Sequence, residues 1–198
     1  KVDKNKIITC NILGVDIAVT NMQSVCYYLT KNLERLRGEY VCVSNVHTTV
    51  MAYNDASYKE VQNNAVIAVP DGKPLSLISR VRGYKSAQRV AGPDLMPEIL
   101  KISETEGNTH YFYGSTERTL KSLEKNLRRR YPKLKIVGMY SPPFRQLTKE
   151  EDMQMVERIN ATKPDFVWVG LGAPKQERWM YEHKGRVKGI MLGVGAAF

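Results

Sequence analysis

The chain has 198 residues, 42% hydrophobic and 25% charged, the make-up of an ordinary globular chain holding one domain at about 150 residues apiece. At that length folding buries roughly 70% of the unfolded surface, so no disulfide or structural metal is needed, and no apolar run approaches the roughly 20 residues of a membrane span. Lys and Arg number 30 against 20 Asp and Glu, a balance of +10 that asks for a negative partner: nucleic acid, an anionic membrane surface or a nucleotide-type substrate.

In chain order, Ile7 to Leu13 and Val15 to Val19 predict a leading strand pair around Gly14-Val15-Asp16. Asn21 to Arg37 predicts a helix with Met22, Val25, Leu29, Leu33 and Leu36 on its buried stripe. Tyr40 to Ser44 is a strand, Val46 to Asn54 and Ser57 to Asn63 are helical, and Ala65 to Val69 is a strand ended by Pro70-Asp71-Gly72. Helices follow over Pro74 to Val81 and Pro93 to Glu106, then a strand over His110 to Tyr113 and a basic helix over Thr116 to Tyr131. Leu134 to Tyr140, Phe166 to Val169 and Gly189 to Val194 are strands, separated by helices over Lys149 to Ala161 and Gln176 to His183. About six βα repeats with no linker predict one α/β domain over 1–198, doubly wound around a largely parallel sheet with helices on both faces.

Cys10, Cys26 and Cys42 are odd in number and widely spaced, so they read as reduced. His47, His110 and His183 fall in no ligand spacing, so no metal is expected. The start, Lys1-Val2-Asp3-Lys4, lacks an initiator Met and the apolar core of a signal peptide, which makes cytoplasm the expected compartment. In the basic helix, Lys121, Lys125, Arg128, Arg129 and Arg130 lie opposite Leu120, Leu123 and Leu127. That face is solvated or touches anionic lipid; nucleic acid is not expected, because no interleaved aromatics offer stacking platforms.

In a doubly wound sheet, ligands collect outside the carboxyl ends of the strands. The residues there are Asn45 to Thr48, Pro70 to Lys73, Gly114 to Thr116, Ser141 to Arg145 and Gly170 to Glu177. The last stretch, Gly170-Leu171-Gly172-Ala173-Pro174-Lys175-Gln176-Glu177, has glycines for close approach, Pro174 to begin a helix, and donors in Lys175 and Gln176. It reads as an anion site at a helix start or as a tightly packed turn. Asp71, held between Pro70 and Gly72, reads as a general base or as a plain turn residue. Asn45 lies one strand earlier on the same edge, and Arg89 offers a cation to a phosphate or to Asp71.

Six ordered motifs carry a resemblance: Ser44-Asn45-Val46-His47-Thr48, Pro70-Asp71-Gly72-Lys73-Pro74, Arg89 to Leu95, Phe112-Tyr113-Gly114, Ser141-Pro142-Pro143-Phe144-Arg145 and Trp168 to Glu177. Together they closely resemble the WecG/TagA/CpsF glycosyltransferase family from about Cys10 onward. The resemblance implies a Rossmann-like core, a tendency to oligomerise, and an inverting, metal-independent enzyme without a cofactor. It would move a sugar of N-acetylmannosamine, uronic acid or glucose type from a UDP-sugar to a polyprenyl-diphosphate-linked saccharide, as a peripheral protein on the inner face of the cell membrane. Carried over by residue, Asp71 is the base, and Asn45, Arg89 and Gln176 bind substrate. Gly114, Ser115, Tyr140, Phe144, Gly170, Gly172, Ala173, Lys175 and Glu177 are expected to hold UDP, with Tyr140 or Phe144 stacking on uracil. Resembling chains often have Thr where this one has Val43, and they run past Phe198 into a basic, Trp-bearing tail that is expected to touch the membrane; its absence is expected to expose apolar surface around Phe198. Two other readings compete. A nicotinamide oxidoreductase lacks its GxGxxG here, and a non-enzymatic basic module would bind lipid or nucleic acid without UDP affinity.

Overall fold

Strands such as Phe166–Gly170 and Ile190–Gly193 are buried along nearly their whole length rather than on alternate residues, as in a parallel sheet covered on both faces. The computed structural model, which describes residues 7–198, contains that sheet. Its elements are β1 (Thr9–Ile12), β2 (Val15–Ala18), α1 (Met22–Lys31), α2 (Leu33–Leu36), β3 (Tyr40–Ser44), α3 (Val46–Asn54), α4 (Ala56–Asn64), β4 (Ile67–Pro70), α5 (Lys73–Val81) and α6 (Gly92–Glu106). They continue with β5 (Thr109–Gly114), α7 (Glu117–Arg130), β6 (Lys135–Tyr140), α8 (Lys149–Ala161), β7 (Phe166–Gly170), α9 (Lys175–Glu182), β8 (Ile190–Gly193) and a 3-10 turn, Gly195–Ala197.

Six strands pair in the order β4-β3-β8-β7-β5-β6, every neighbour parallel. Helices α1, α2, α6 and α7 cover one face through Leu29, Leu36, Ile99 and Leu120. Helices α3, α4, α5, α8 and α9 cover the other through Ala52, Tyr58, Leu75, Ile159 and Met180. This is the Rossmann-like, doubly wound α/β architecture expected from the chain order. The chain leaves β5 toward the β6 edge and leaves β7 in the opposite direction toward β8. The two exits diverge, and a crevice opens outside the carboxyl ends of β5 and β7.

The expected leading strand pair is present as β1 and β2, an antiparallel hairpin separate from the main sheet. Two expectations need correction. The helix over Asn21 to Arg37 breaks at Asn32, whose backbone (φ −127, ψ 30) leaves helical space while its Nδ2 donates to Tyr28 O, so α2 is a separate turn. Phe198 is not left on an exposed strand: β8 ends at Gly193, and the 3-10 turn brings the Phe198 ring edge-on to Phe112 at 5.9 Å.

The three cysteines are free and buried. His110 is a core residue: Trp168 Nε1 donates to its Nδ1 at 2.9 Å, and burial pushes its pKa down to about 3, so the ring is neutral. Among the described residues no three His, Cys, Asp or Glu gather as a metal site, and no helix is long and apolar enough to cross a membrane. The opening Lys1-Val2-Asp3-Lys4 lies outside the described residues.

Candidate active site

Parallel register sets the first half of the site. Ser44 pairs with Pro70 across β3 and β4, so Asn45 and Asp71 leave the sheet side by side. Asp71 N donates to Ser44 O at 2.7 Å, and Val90 N donates to Pro70 O at 2.7 Å, which draws the Arg89 segment along the strand end. Arg89 Nε lies 3.8 Å from Asp71 Oδ1. Asp71 is half-buried, and burial pushes its carboxyl above the usual range; Arg89 pulls it back and Asp94 adds to the rise. The result is a positioned carboxylate that holds a proton more readily than an exposed one.

Asn45 caps α3. Its side-chain oxygen accepts from Thr48 N at 2.9 Å while Thr48 Oγ1 accepts from Asn45 N at 3.0 Å, a capping box that commits the oxygen to the helix. What Asn45 can offer a ligand is its Nδ2 donor pair. Ser44 points to the other side of the strand, where its hydroxyl donates to Gln62 Oε1 at 2.6 Å.

The second half is the crevice between β5 and β7. A Cβ on Gly114 (φ 123) would stand 2.5 Å from the Gly170 carbonyl oxygen, so the two strand ends approach as only glycine allows. Ser115 follows with φ 61, a left-handed value uncommon for serine, and its carbonyl accepts from Ser141 Oγ at 2.7 Å. A cavity of about 280 Å³ opens here against Ser115, Thr116, Phe144, Gly170 and Lys175. Thr116 caps α7 by accepting from Thr119 N, and Lys175 is exposed on the first turn of α9. Phe144 is 86% exposed.

Four of the residues assigned to binding from sequence have other neighbours. Tyr140 does not line this crevice: it packs on Tyr113 at 5.9 Å beneath the Arg158 guanidinium, because its position on β6 turns it toward the face covered by α8. The side-chain direction of Gly170 is filled by the Phe198 ring, 2.7 Å from an added Cβ, whereas Gly172 faces open space. Gln176 is 5% exposed, and its Oε1 accepts from both Gly172 N and Gly195 N at 3.1 Å. It clamps the turn after β7 to the turn after β8. Glu177 points inward at 1% exposure, where burial raises its carboxyl, so it is a core residue and not an open ligand contact. Ala173 is exposed in the turn.

A larger cavity of about 560 Å³ was not anticipated from sequence. Its floor is Trp179, stacked between Tyr113 at 4.5 Å and His183 at 4.2 Å. On its rim Arg145 grips both carboxylate oxygens of Glu151 at 2.7 Å, which with the Thr148 cap holds that carboxyl at about 2. The signal was present: Lys175, Arg178, Trp179, Glu182, His183 and Arg186 recur at helical spacing and mark one face. This cavity meets the β5/β7 crevice at Pro142, Pro143, Leu171 and Lys175.

Asp71 and the Gly172 turn lie three strand spacings apart, about 14 Å along the edge. The edge therefore carries a carboxylate with a cation at one end and, at the other, a glycine-lined crevice with a lysine that forms no ion pair among the described residues. Between them sit the Asn45 and Gly195 ends of β3 and β8.

Comparison with known proteins agrees with the motifs. Relatives from Staphylococcus aureus strains NCTC 8325, COL and MRSA252 are each 28% identical over 193 residues, covering 94% of this chain and 73% of their own length. Each is named an N-acetylglucosaminyldiphosphoundecaprenol N-acetyl-beta-D-mannosaminyltransferase. The family model described as "Glycosyl transferase WecG/TagA/CpsF family" matches residues 10–198. The chain is an enzyme of the glycosyltransferase class and belongs to the WecG/TagA/CpsF family.

Proposed function

We propose that this chain is the catalytic domain of an inverting, metal-independent transferase that moves an N-acetylmannosamine-type sugar from a UDP-sugar to a polyprenyl-diphosphate-linked saccharide. The observation that carries the reading is Asp71: a half-buried carboxylate of raised proton affinity beside Arg89 and Asn45, on the same sheet edge as an open crevice lined by the exposed Lys175. The acceptor class comes from the relatives' name, which specifies a diphosphoundecaprenol-linked sugar and a beta-D product. From an α-linked UDP-sugar, a β product records inversion.

In a single displacement the acceptor hydroxyl attacks the anomeric carbon, its proton passes to Asp71 Oδ, and the bond to the UDP oxygen breaks with both electrons leaving on the diphosphate. The transition state is oxocarbenium-like, and negative charge grows on the leaving group. A proton acceptor is needed on one side and positive charge on the other, and the sheet edge carries Asp71 and Lys175 at separate strand ends. Lys175, exposed on the first turn of α9, answers the diphosphate. The exposed Phe144 ring answers the uracil face. Arg89 restrains the Asp71 pKa and orients the carboxylate.

Calorimetric titration with UDP, with and without EDTA, tests the reading on the chain and on Asp71→Asn. Saturable binding insensitive to EDTA and retained in Asp71→Asn is the expected result. Failure of both proteins to bind UDP, repeated on a chain extended beyond Phe198, overturns it.

A further inference from the structure

Helix α5 carries apolar side chains on both its inner and its outer side. Its inner side buries Leu75, Ser76 and Ser79, 1%, 8% and 1% exposed, with Ile78 packed against the same core, and among the described residues Ser79 Oγ has no hydrogen-bond partner. Its outer side carries Leu77 and Val81, 60% and 82% exposed, with Pro74 exposed one turn earlier. A helix whose outer side faces only water keeps that side polar. Leaving Leu77 and Val81 outward on a helix whose inner side already packs on the core is the arrangement of a surface that meets an apolar phase.

The charge around this stripe points the same way. Between Asp71 and Asp94 there are five cations, Lys73, Arg80, Arg82, Lys85 and Arg89, and no Asp or Glu. Lys73, Arg80, Arg82 and Lys85 are exposed, and none of the four forms an ion pair among the described residues. Arg80 Nε donates to Ala87 O at 2.7 Å and Arg82 donates to Asn11 O, so both guanidiniums are held in place by carbonyls without losing their charge. Exposed apolar side chains flanked by unpaired cations fit the headgroup boundary of an anionic bilayer, where the apolar groups enter and the cations meet lipid phosphates.

We infer that the outer face of α5, with Lys73 and Lys85 at its margins, is the surface through which this protein docks on anionic lipid. Resting on the proposed function, the inference gives the docking a purpose. Lys73 is two residues from Asp71, and α5 is about 13 Å long. A bilayer meeting Leu77 and Val81 therefore holds the candidate base within reach of an acceptor whose diphosphate sits at the headgroups. The other basic helix does not share these features: the apolar residues of α7, Leu120, Leu123 and Leu127, are all buried, and Arg128 is paired with Glu124.

The test is co-sedimentation of the chain with vesicles of equal phosphatidylglycerol and phosphatidylcholine, against vesicles of phosphatidylcholine alone, with no UDP or acceptor present. Binding to the anionic vesicles only is expected, weakened by salt through screening. Leu77→Glu/Val81→Glu and Lys73→Gln/Lys85→Gln should each lower it about tenfold or more. Arg129→Gln/Arg130→Gln on α7 should change it less than about threefold. A circular dichroism melt keeps the reading clear of misfolding, since exposed positions carry these substitutions at little cost. The inference is overturned if the unsubstituted chain does not bind, if both α5 variants bind as well as it does, or if the α7 variant loses more than they do. UDP titration of the same variants reports separately on the transferase: lost vesicle binding with intact UDP binding separates docking from the donor site, and absent UDP binding leaves the vesicle result standing.

Discussion

The two ends of the carboxyl edge are built from different materials. At the β4 end the proposed functional group is a side chain, Asp71, whose surroundings set its proton affinity. At the β5/β7 end the surface is mostly backbone: Gly114, Ser115, Gly170 and Gly172 adopt conformations or approaches that a larger residue would disturb. The difference suits the proposed chemistry. A proton acceptor must be one group with a tuned affinity, whereas a diphosphate is met by several fixed N–H groups and a cation. Substitutions at the first end should therefore act on rate, and those at the second on binding and on the fold.

The largest effect is expected for Asp71→Asn. Turnover should fall by about 10² to 10⁴ while the UDP dissociation constant stays unchanged. Because the folded state raises this carboxyl's pKa, its ionised form works against stability at neutral pH, so the melting temperature should not fall. A drop in both UDP affinity and melting temperature would erase the distinction between the two ends.

Gly114→Ala comes next, measured by urea unfolding. The added Cβ would meet the Gly170 carbonyl at 2.5 Å in a positive-φ backbone, and a stability loss of about 3 kcal/mol follows from overpacking against backbone that cannot move aside. Gln176→Met should cost about 1 to 3 kcal/mol, because it leaves the Gly172 and Gly195 amides without an acceptor. It should also weaken UDP binding by loosening both turns. Lys175→Ala should raise the UDP dissociation constant about tenfold, the worth of one charge-assisted contact, with the melt unchanged.

The smallest effect is on pH dependence. Asp71 must be deprotonated to accept the hydroxyl proton, so kcat/KM should fall on acidification at a pH above the usual carboxylate range. Arg89→Gln removes the cation that holds this pKa down, and the acid limb should move to higher pH. A limb that does not move would place the titrating group elsewhere.

Periodicity and composition were enough for the βα order, the parallel sheet and the strand-end positions of Asn45, Asp71 and the Gly170 turn, because those depend on spacing along the chain. The ordered motifs also carried the family. What lay beyond reach was the direction in which each side chain left its backbone. Tyr140 and Glu177 sit within legible motifs yet turn into packed faces, and Gln176 spends its oxygen on two backbone amides, one of them 19 residues away. Residues distant in sequence decide such directions. The partner that fills the space beside Gly170 is Phe198, 28 residues away, whereas the cation beside Asp71, Arg89, was among the sequence expectations. The sequence by itself determined which residue types reach the carboxyl edge; only the tertiary structure decided which of them face the opening, because burial and hydrogen bonding are set by long-range neighbours and not by local pattern.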